Sequence, residues 1–257
     1  MKLSVTRVNS LLYCGKQHEF AYTRNLEPVT SGDALDTGKL VHAGVEQFYR
    51  TGSWPTFDTE GDVGKKASSA CSTYALLARL EDRFEVVDVE REFSVVLDDF
   101  DDTQFVGVID AVVRLEGQLW LLEHKTCAQH WSNERIQTAN QHVLYEIAAE
   151  EIYGEKIYGT IYNFLRITKR AGEFHTDARR VMVPANTVTR GVVYDDFIKT
   201  ALLIRAGHNA RNSGQHCGYC RFFSLCQAEL LGGDTDALVG QFFKPRREIK
   251  DDQSDAA

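Results

Sequence analysis

The sequence predicts an α/β fold in which a central β-sheet is flanked by helices, and three observations point there. Residues 104–115 and 118–123 form two runs rich in Val, Ile, Leu, Phe and Trp, with Glu116-Gly117 between them as a two-residue turn. Helical periodicity precedes them over residues 36–49 and 63–84 and returns after them over residues 133–153. A further β-branched apolar run, residues 158–167, follows that last helix, so strand and helix alternate. With 257 residues, 43% of them hydrophobic, the chain has ample material for a core.

The elements follow in order. The first fifty residues read as helical, with Ser4 or Thr6 as an opening cap. In the helix at residues 36–49, Leu40, Val41, Gly44, Val45 and Phe48 make an apolar stripe, and His42 sits beside it. Residues 54–64 are a loop punctuated by Gly and Pro. Gly64-Lys65-Lys66 is not a phosphate loop, because position 59 is Thr and Ala67 stands where Ser or Thr is required. Residues 86–97 alternate as a strand with Glu90 and Glu92 one pleat period apart, and Asp98-Asp99-Phe100-Asp101-Asp102 is an acidic loop. The helix at residues 133–153 stacks Gln137, Gln141 and Tyr145 along one face. The strand at residues 158–167 leads into a basic turn with Arg166, Lys169 and Arg170, and residues 189–212 form a long helix. Residues 244–257 are charged and poor in large apolar side chains, so they read as a disordered tail.

The hairpin carries the chemistry. If the chain turns at Glu116-Gly117, residues whose numbers sum to 233 face each other, and Asp110 meets Glu123. Like charges so placed repel, so a positive group belongs between them. Side chains alternate along a strand, which brings Lys125 to the face of Glu123 and turns His124 away. Both acids end apolar runs, where an unpaired charge is costly. Two carboxylates with a lysine suit a hard cation such as Mg²⁺ or Mn²⁺.

No run of about 18 apolar residues exists, and the N-terminal residues lack an apolar signal core. The expectation is therefore no membrane association and a cytoplasmic location, that of a host if the chain is phage-encoded. Net charge of −8 argues against non-specific coating of nucleic acid, while leaving room for a local basic groove. Of six cysteines, Cys217, Cys220 and Cys226 lie within ten residues, and Gly218 eases the turn between the first two. Three thiolates leave a tetrahedral site one short, with Cys14, Cys71, Cys127 and His216 as candidates for the fourth ligand. Four thiolates would suit Zn²⁺ or a [4Fe–4S] cluster equally.

Taken together these segments resemble the PD-(D/E)XK nuclease superfamily, in particular its RecB-like branch, which includes iron–sulfur CRISPR-associated exonucleases. The resemblance rests on five motifs in order: Gly38-Lys39-Leu40-Val41-His42, Glu90-Arg91-Glu92-Phe93, Gly107-Val108-Ile109-Asp110, Glu123-His124-Lys125-Thr126 and Gln141-His142-Val143-Leu144-Tyr145. One cysteine, Cys14, precedes them, and a C-x₂-C-x₅-C motif follows. The resemblance implies a restriction-endonuclease-like core with a mixed sheet. It assigns His42, Asp110, Glu123 and the His124 backbone carbonyl to a Mg²⁺ or Mn²⁺ site, with Glu90 as a further acid. It gives Lys125 the attacking water, places Gln141 and Tyr145 near the scissile phosphate, and favours [4Fe–4S] over Zn²⁺ on Cys14, Cys217, Cys220 and Cys226. Arg166, Lys169 and Arg170 are candidate contacts to DNA.

The expected organisation is one nuclease domain over residues 1–243, in which residues 36–204 form the core and residues 1–35 and 205–232 the cluster region. The expected activity is metal-dependent DNA exonuclease action on single strands or duplex ends, alongside a helicase, recombinase or CRISPR integrase. The alternatives are a nuclease subunit of a CRISPR spacer-acquisition complex and a non-catalytic module that binds DNA ends.

Overall fold

The computed structural model describes residues 1–96 and 103–246. The acidic loop Asp98-Asp99-Phe100-Asp101-Asp102 and residues 247–257 of the expected tail lie outside the described residues. In chain order the elements are β1 (Lys2–Leu3), α1 (Val5–Tyr13), α2 (Gly15–His18), β2 (Leu26–Pro28), α3 (Asp33–Thr51), α4 (Asp62–Glu81), β3 (Glu85–Val96), β4 (Gln104–Leu115), β5 (Gln118–Cys127), α5 (Asn133–Thr138), α6 (Asn140–Tyr153), β6 (Ile157–Arg170), β7 (Glu173–Pro184), α7 (Thr187–Arg205), α8 (Phe223–Leu231), α9 (Thr235–Phe242) and β8 (Phe243–Pro245). The chain divides into two compact units, one containing Met1–Lys2 and Gly32–Tyr194, the other residues 3–31 and 195–246.

The first unit is built on a mixed sheet in the order β1-β4-β5-β6-β7, with β3 paired to β4. The β4–β5 hairpin has the register its sequence predicts, Leu115 opposite Gln118 and Ala111 opposite Leu122. Glu116 (φ 51°) and Gly117 (φ 80°) turn it, both left-handed as a two-residue loop between twisted strands requires. The β5–β6 pair is parallel and crosses over through α5 and α6. Alternation along β6 divides the core between the two faces of the sheet. Leu165 joins Val41, Val45, Cys71 and Tyr74 of α3 and α4, whereas Tyr162 and Phe164 meet Ile136 and Trp131.

Several segments differ from their sequence reading. The expected helix at residues 133–153 breaks at Ala139 (ψ 127°), which gives α5 and α6 separate directions, and Ile136 is thereby sunk among Tyr162 and Phe164. Gln137 therefore does not continue the row of Gln141 and Tyr145. Strand β7 went unread because its alternation is polar, as befits an edge strand, and Ala171-Gly172 (φ 49° and 91°) turns the chain into it. The helix expected at residues 189–212 spans Thr187–Arg205. Asn186 Oδ1 accepts from the N–H groups of Val188 and Thr189 at its start, and Gly207 (φ 72°) lies just past its end.

In the second unit Ser4 caps α1, its hydroxyl accepting from the Arg7 N–H. Phe20, Leu26, Phe222, Leu225 and Phe243 form its core, and the rings of Phe222 and Phe243 stack 5.5 Å apart. The first fifty residues are not wholly helical, because Leu26–Pro28 is a strand whose partner is β8. That pairing corrects the start of the expected tail, since Lys244 and Pro245 are tied to Glu27 and Leu26.

Candidate active site

Regular pairing of β4 with β5 stops at Ala111 and Leu122, one residue short of the two acids. Where the strands part, the His124 N–H has no ladder partner, and the Asp110 carboxylate takes it at 2.7 Å. Helix α3 brings His42 to the other side of Asp110, Nδ1 to Oδ1 3.3 Å. Glu90 enters from β3. Its neighbours Val89 and Arg91 pair with Ala111 and Ile109, while Glu90 itself adopts φ 49°. The even pleat expected of Glu90 and Glu92 is therefore broken, leaving Glu90 half-buried and Glu92 exposed. Glu90 Oε1 lies 4.0 Å from His42 Nδ1.

Among the described residues, His42, Glu90 and Asp110 are the group whose possible metal-ligating atoms all lie within 4.8 Å of one another. Glu123 is buried beside them but engages Lys125, Nζ to Oε1 2.6 Å. The same ammonium donates to Gln141 Oε1 at 2.8 Å, and the Tyr145 hydroxyl hydrogen-bonds the Gln141 side chain and the Val108 backbone. Gly107 makes room for that hydroxyl, since a Cβ there would lie 2.8 Å from Tyr145 Oη and 2.8 Å from the Phe93 ring. The His124 side chain turns away as expected. Its ring packs on Tyr74, centroids 4.9 Å apart, and Asn163 Nδ2 lies 3.5 Å from its Nδ1.

The electrostatics describe a cluster that takes up protons where a cation would sit. Burial, then repulsion by Asp110, pushes Glu90 up to about 8. Burial and Asp110 also raise Glu123, against the pull of Lys125. Burial alone would lower His42, yet Asp110, with Glu90 and Glu123, outweighs it and carries His42 to about 9. Burial works against Asp110 ionising, but His42 first, then His124 and Lys125, hold it at about 2. A divalent ion would replace those protons with charge of the same sign.

The family model of the PD-(D/E)XK nuclease superfamily matches residues 2–227. The chain belongs to that superfamily. Among solved structures, a candidate exonuclease from Eubacterium rectale is similar at 16% identity and a TM-score of 0.54, over 86% of this chain and 87% of that one. A second, SSO0001, gives 16% identity and a TM-score of 0.42 over 88% of this chain and 86% of that one. The first likeness shows the fold. Comparison with curated proteins gives no match.

Within this PD-(D/E)XK nuclease chain the other named residues fall as follows. Arg166 pairs with Asp177, Nε to Oδ1 2.8 Å, and Lys169 with Asp62 at 3.1 Å, while Arg170 is exposed at the end of β6. Cys71 lies in the α4 core, where burial lifts its thiol to about 12, and Cys127 ends β5. Cys14, Cys217, Cys220 and Cys226 all belong to the second unit, where Cys14, Cys217 and Cys226 each act on the Cys220 thiol. No helix among the described residues is long and apolar enough to cross a membrane. Sequence reasoning missed two supports of the site, the His124 N–H and the Phe93 ring beside Gly107. A glycine inside an apolar strand was the available signal for the second.

Proposed function

We propose that this nuclease is a metal-dependent DNA exonuclease acting on single strands or duplex ends. The observation that carries the reading is the joint placement of His42, Glu90 and Asp110 within 4.8 Å, next to a buried Glu123–Lys125 pair. The donor set, one imidazole and carboxylate oxygens, fits Mg²⁺ or Mn²⁺, with Glu123 and the His124 carbonyl completing the ligands. Such an ion would neutralise charge on the phosphoryl oxygens and make water a stronger nucleophile. Lys125 is held by Glu123 and Gln141, so its ammonium is preorganised to orient a water or a phosphate oxygen. Tyr145 fixes Gln141 in turn.

In the second unit, we infer a [4Fe–4S] cluster on Cys14, Cys217, Cys220 and Cys226. The support is the pattern of one remote cysteine with a C-x₂-C-x₅-C motif, together with the placement of all four residues in one compact unit; Zn²⁺ on the same four thiolates is the alternative.

The test of the nuclease reading is incubation with end-labelled single- and double-stranded DNA in Mn²⁺, Mg²⁺ or EDTA. Wild type should cut only with metal. Asp110→Asn, Glu123→Gln and Lys125→Ala should each lose activity by about 10²-fold or more while keeping their melting transition. Near-normal cutting by any one of the three would overturn the assigned site.

A further inference from the structure

Two cations flank the C-terminal end of the catalytic strand without serving the chemistry above. Glu123, Lys125 and Cys127 share one face of β5. Cys127 packs with Trp131 against Ile136, Tyr162 and Phe164, and the charge of Arg135 acts on the Cys127 thiol. The Arg135 guanidinium carbon sits over the Trp131 ring, 4.1 Å from its centroid, and Phe164 packs on Trp131 at 5.6 Å. The loop carrying Trp131 is pinned from β7. Arg179 Nη1 donates to the Trp131 carbonyl at 3.1 Å and Nη2 to Asn133 Oδ1 at 2.7 Å. On α3, the exposed Lys39 lines a cavity of about 30 Å³ together with Gly38, His42, Lys125 and Thr126.

Neither Arg135 nor Lys39 forms an ion pair with a described residue, whereas Arg166 and Lys169 are matched by Asp177 and Asp62. In a chain of net charge −8, two unmatched cations by the C-terminal end of the strand that carries Glu123 and Lys125 are where an anionic polymer would be held. A guanidinium held over an aromatic ring keeps N–H donors for a phosphate and loses less entropy on binding than a free side chain.

We propose that Arg135 and Lys39 bind backbone phosphates of the nucleic-acid strand on which the site acts. This rests on the nuclease reading. The test is the salt dependence of binding to a fluorescently labelled oligothymidine, read by anisotropy in EDTA so that nothing is cut. Each single-strand phosphate contact steepens log K against log[salt] by about 0.7. Arg135→Ala and Lys39→Ala should each flatten the slope by about that amount, and the double variant by about twice as much. Arg135→Lys, which keeps the charge, should retain the slope, and so should Arg166→Ala, whose charge Asp177 already offsets. Slopes for Arg135→Ala and Lys39→Ala equal to wild type, with cleavage in Mn²⁺ intact, would overturn this inference alone. A wild type that neither binds nor cuts the oligonucleotide would overturn it together with the nuclease reading.

Discussion

Glu90 holds a left-handed backbone conformation that costs a side-chain-bearing residue roughly 1–2 kcal/mol. The strain persists because the flanking pairs Val89–Ala111 and Arg91–Ile109 hold the strand on either side. Its return is an oxygen aimed at His42 rather than at solvent. His42→Ala should therefore weaken Mn²⁺ binding by about 10-fold or more, and the stabilisation that Mn²⁺ confers in a thermal melt should shrink accordingly. A metal titration of the variant matching wild type would return His42 to a packing role. A second histidine titrates in the opposite sense. His142 is buried at 5% exposure and its Nδ1 has no partner, so burial lowers it to about 4. Between about pH 6.5 and 4 the unfolded chain binds this proton and the folded chain does not, so the group costs stability as pH falls. In urea melts from pH 7 to 5, His142→Gln should lose roughly 1–2 kcal/mol less than wild type. Parallel pH profiles would refute the assignment.

At the scale of the element, β4 is specialised by one missing side chain. Gly107 lets Phe93 and Tyr145 close over the strand, their rings 5.3 Å apart and near perpendicular. Gly107→Ala forces a carbon against both, so it should cost about 1–3 kcal/mol by urea denaturation. It should also reduce cutting beyond that loss, because Tyr145 holds Gln141 and Gln141 holds Lys125. A variant with unchanged stability would mean that Phe93 and Tyr145 yield without cost. The hairpin itself was legible because its signals are local: alternating apolar residues, a turn that admits left-handed backbone, and a register fixed by the turn. The break at Ala139 was not, since Thr138-Ala139-Asn140 carries neither Gly nor Pro and the chain bends there to sink Ile136 into the Tyr162–Phe164 cluster.

At the scale of the whole molecule, Cys14 is remote in sequence from Cys217, Cys220 and Cys226, yet all four fall in one compact unit made from residues 3–31 and 195–246. A cluster bound there would cross-link the first 31 residues to the segment after residue 195, which stabilises by limiting the unfolded chain. Protein prepared without oxygen should be brown and hold about four irons. Cys14→Ser or Cys226→Ser should lose both the colour and several degrees of melting temperature, whereas Cys71→Ser and Cys127→Ser should keep the iron. One tightly held zinc without iron or sulfide would refute the cluster.

The sequence by itself determined the strand–turn–strand that carries Asp110, Glu123 and Lys125, the helix that carries His42, and the order of the motifs, because each is written in local periodicity and turn chemistry. Tertiary structure alone decided which groups meet. It turned Glu90 inward, set Glu123 on Lys125 rather than within the His42–Glu90–Asp110 group, and matched Arg166 and Lys169 with acids while giving Arg135 no ion pair among the described residues. Those choices depend on where β4 and β5 part and on which strand lies beside β6. They are contacts between residues tens of positions apart, and no local pattern encodes them.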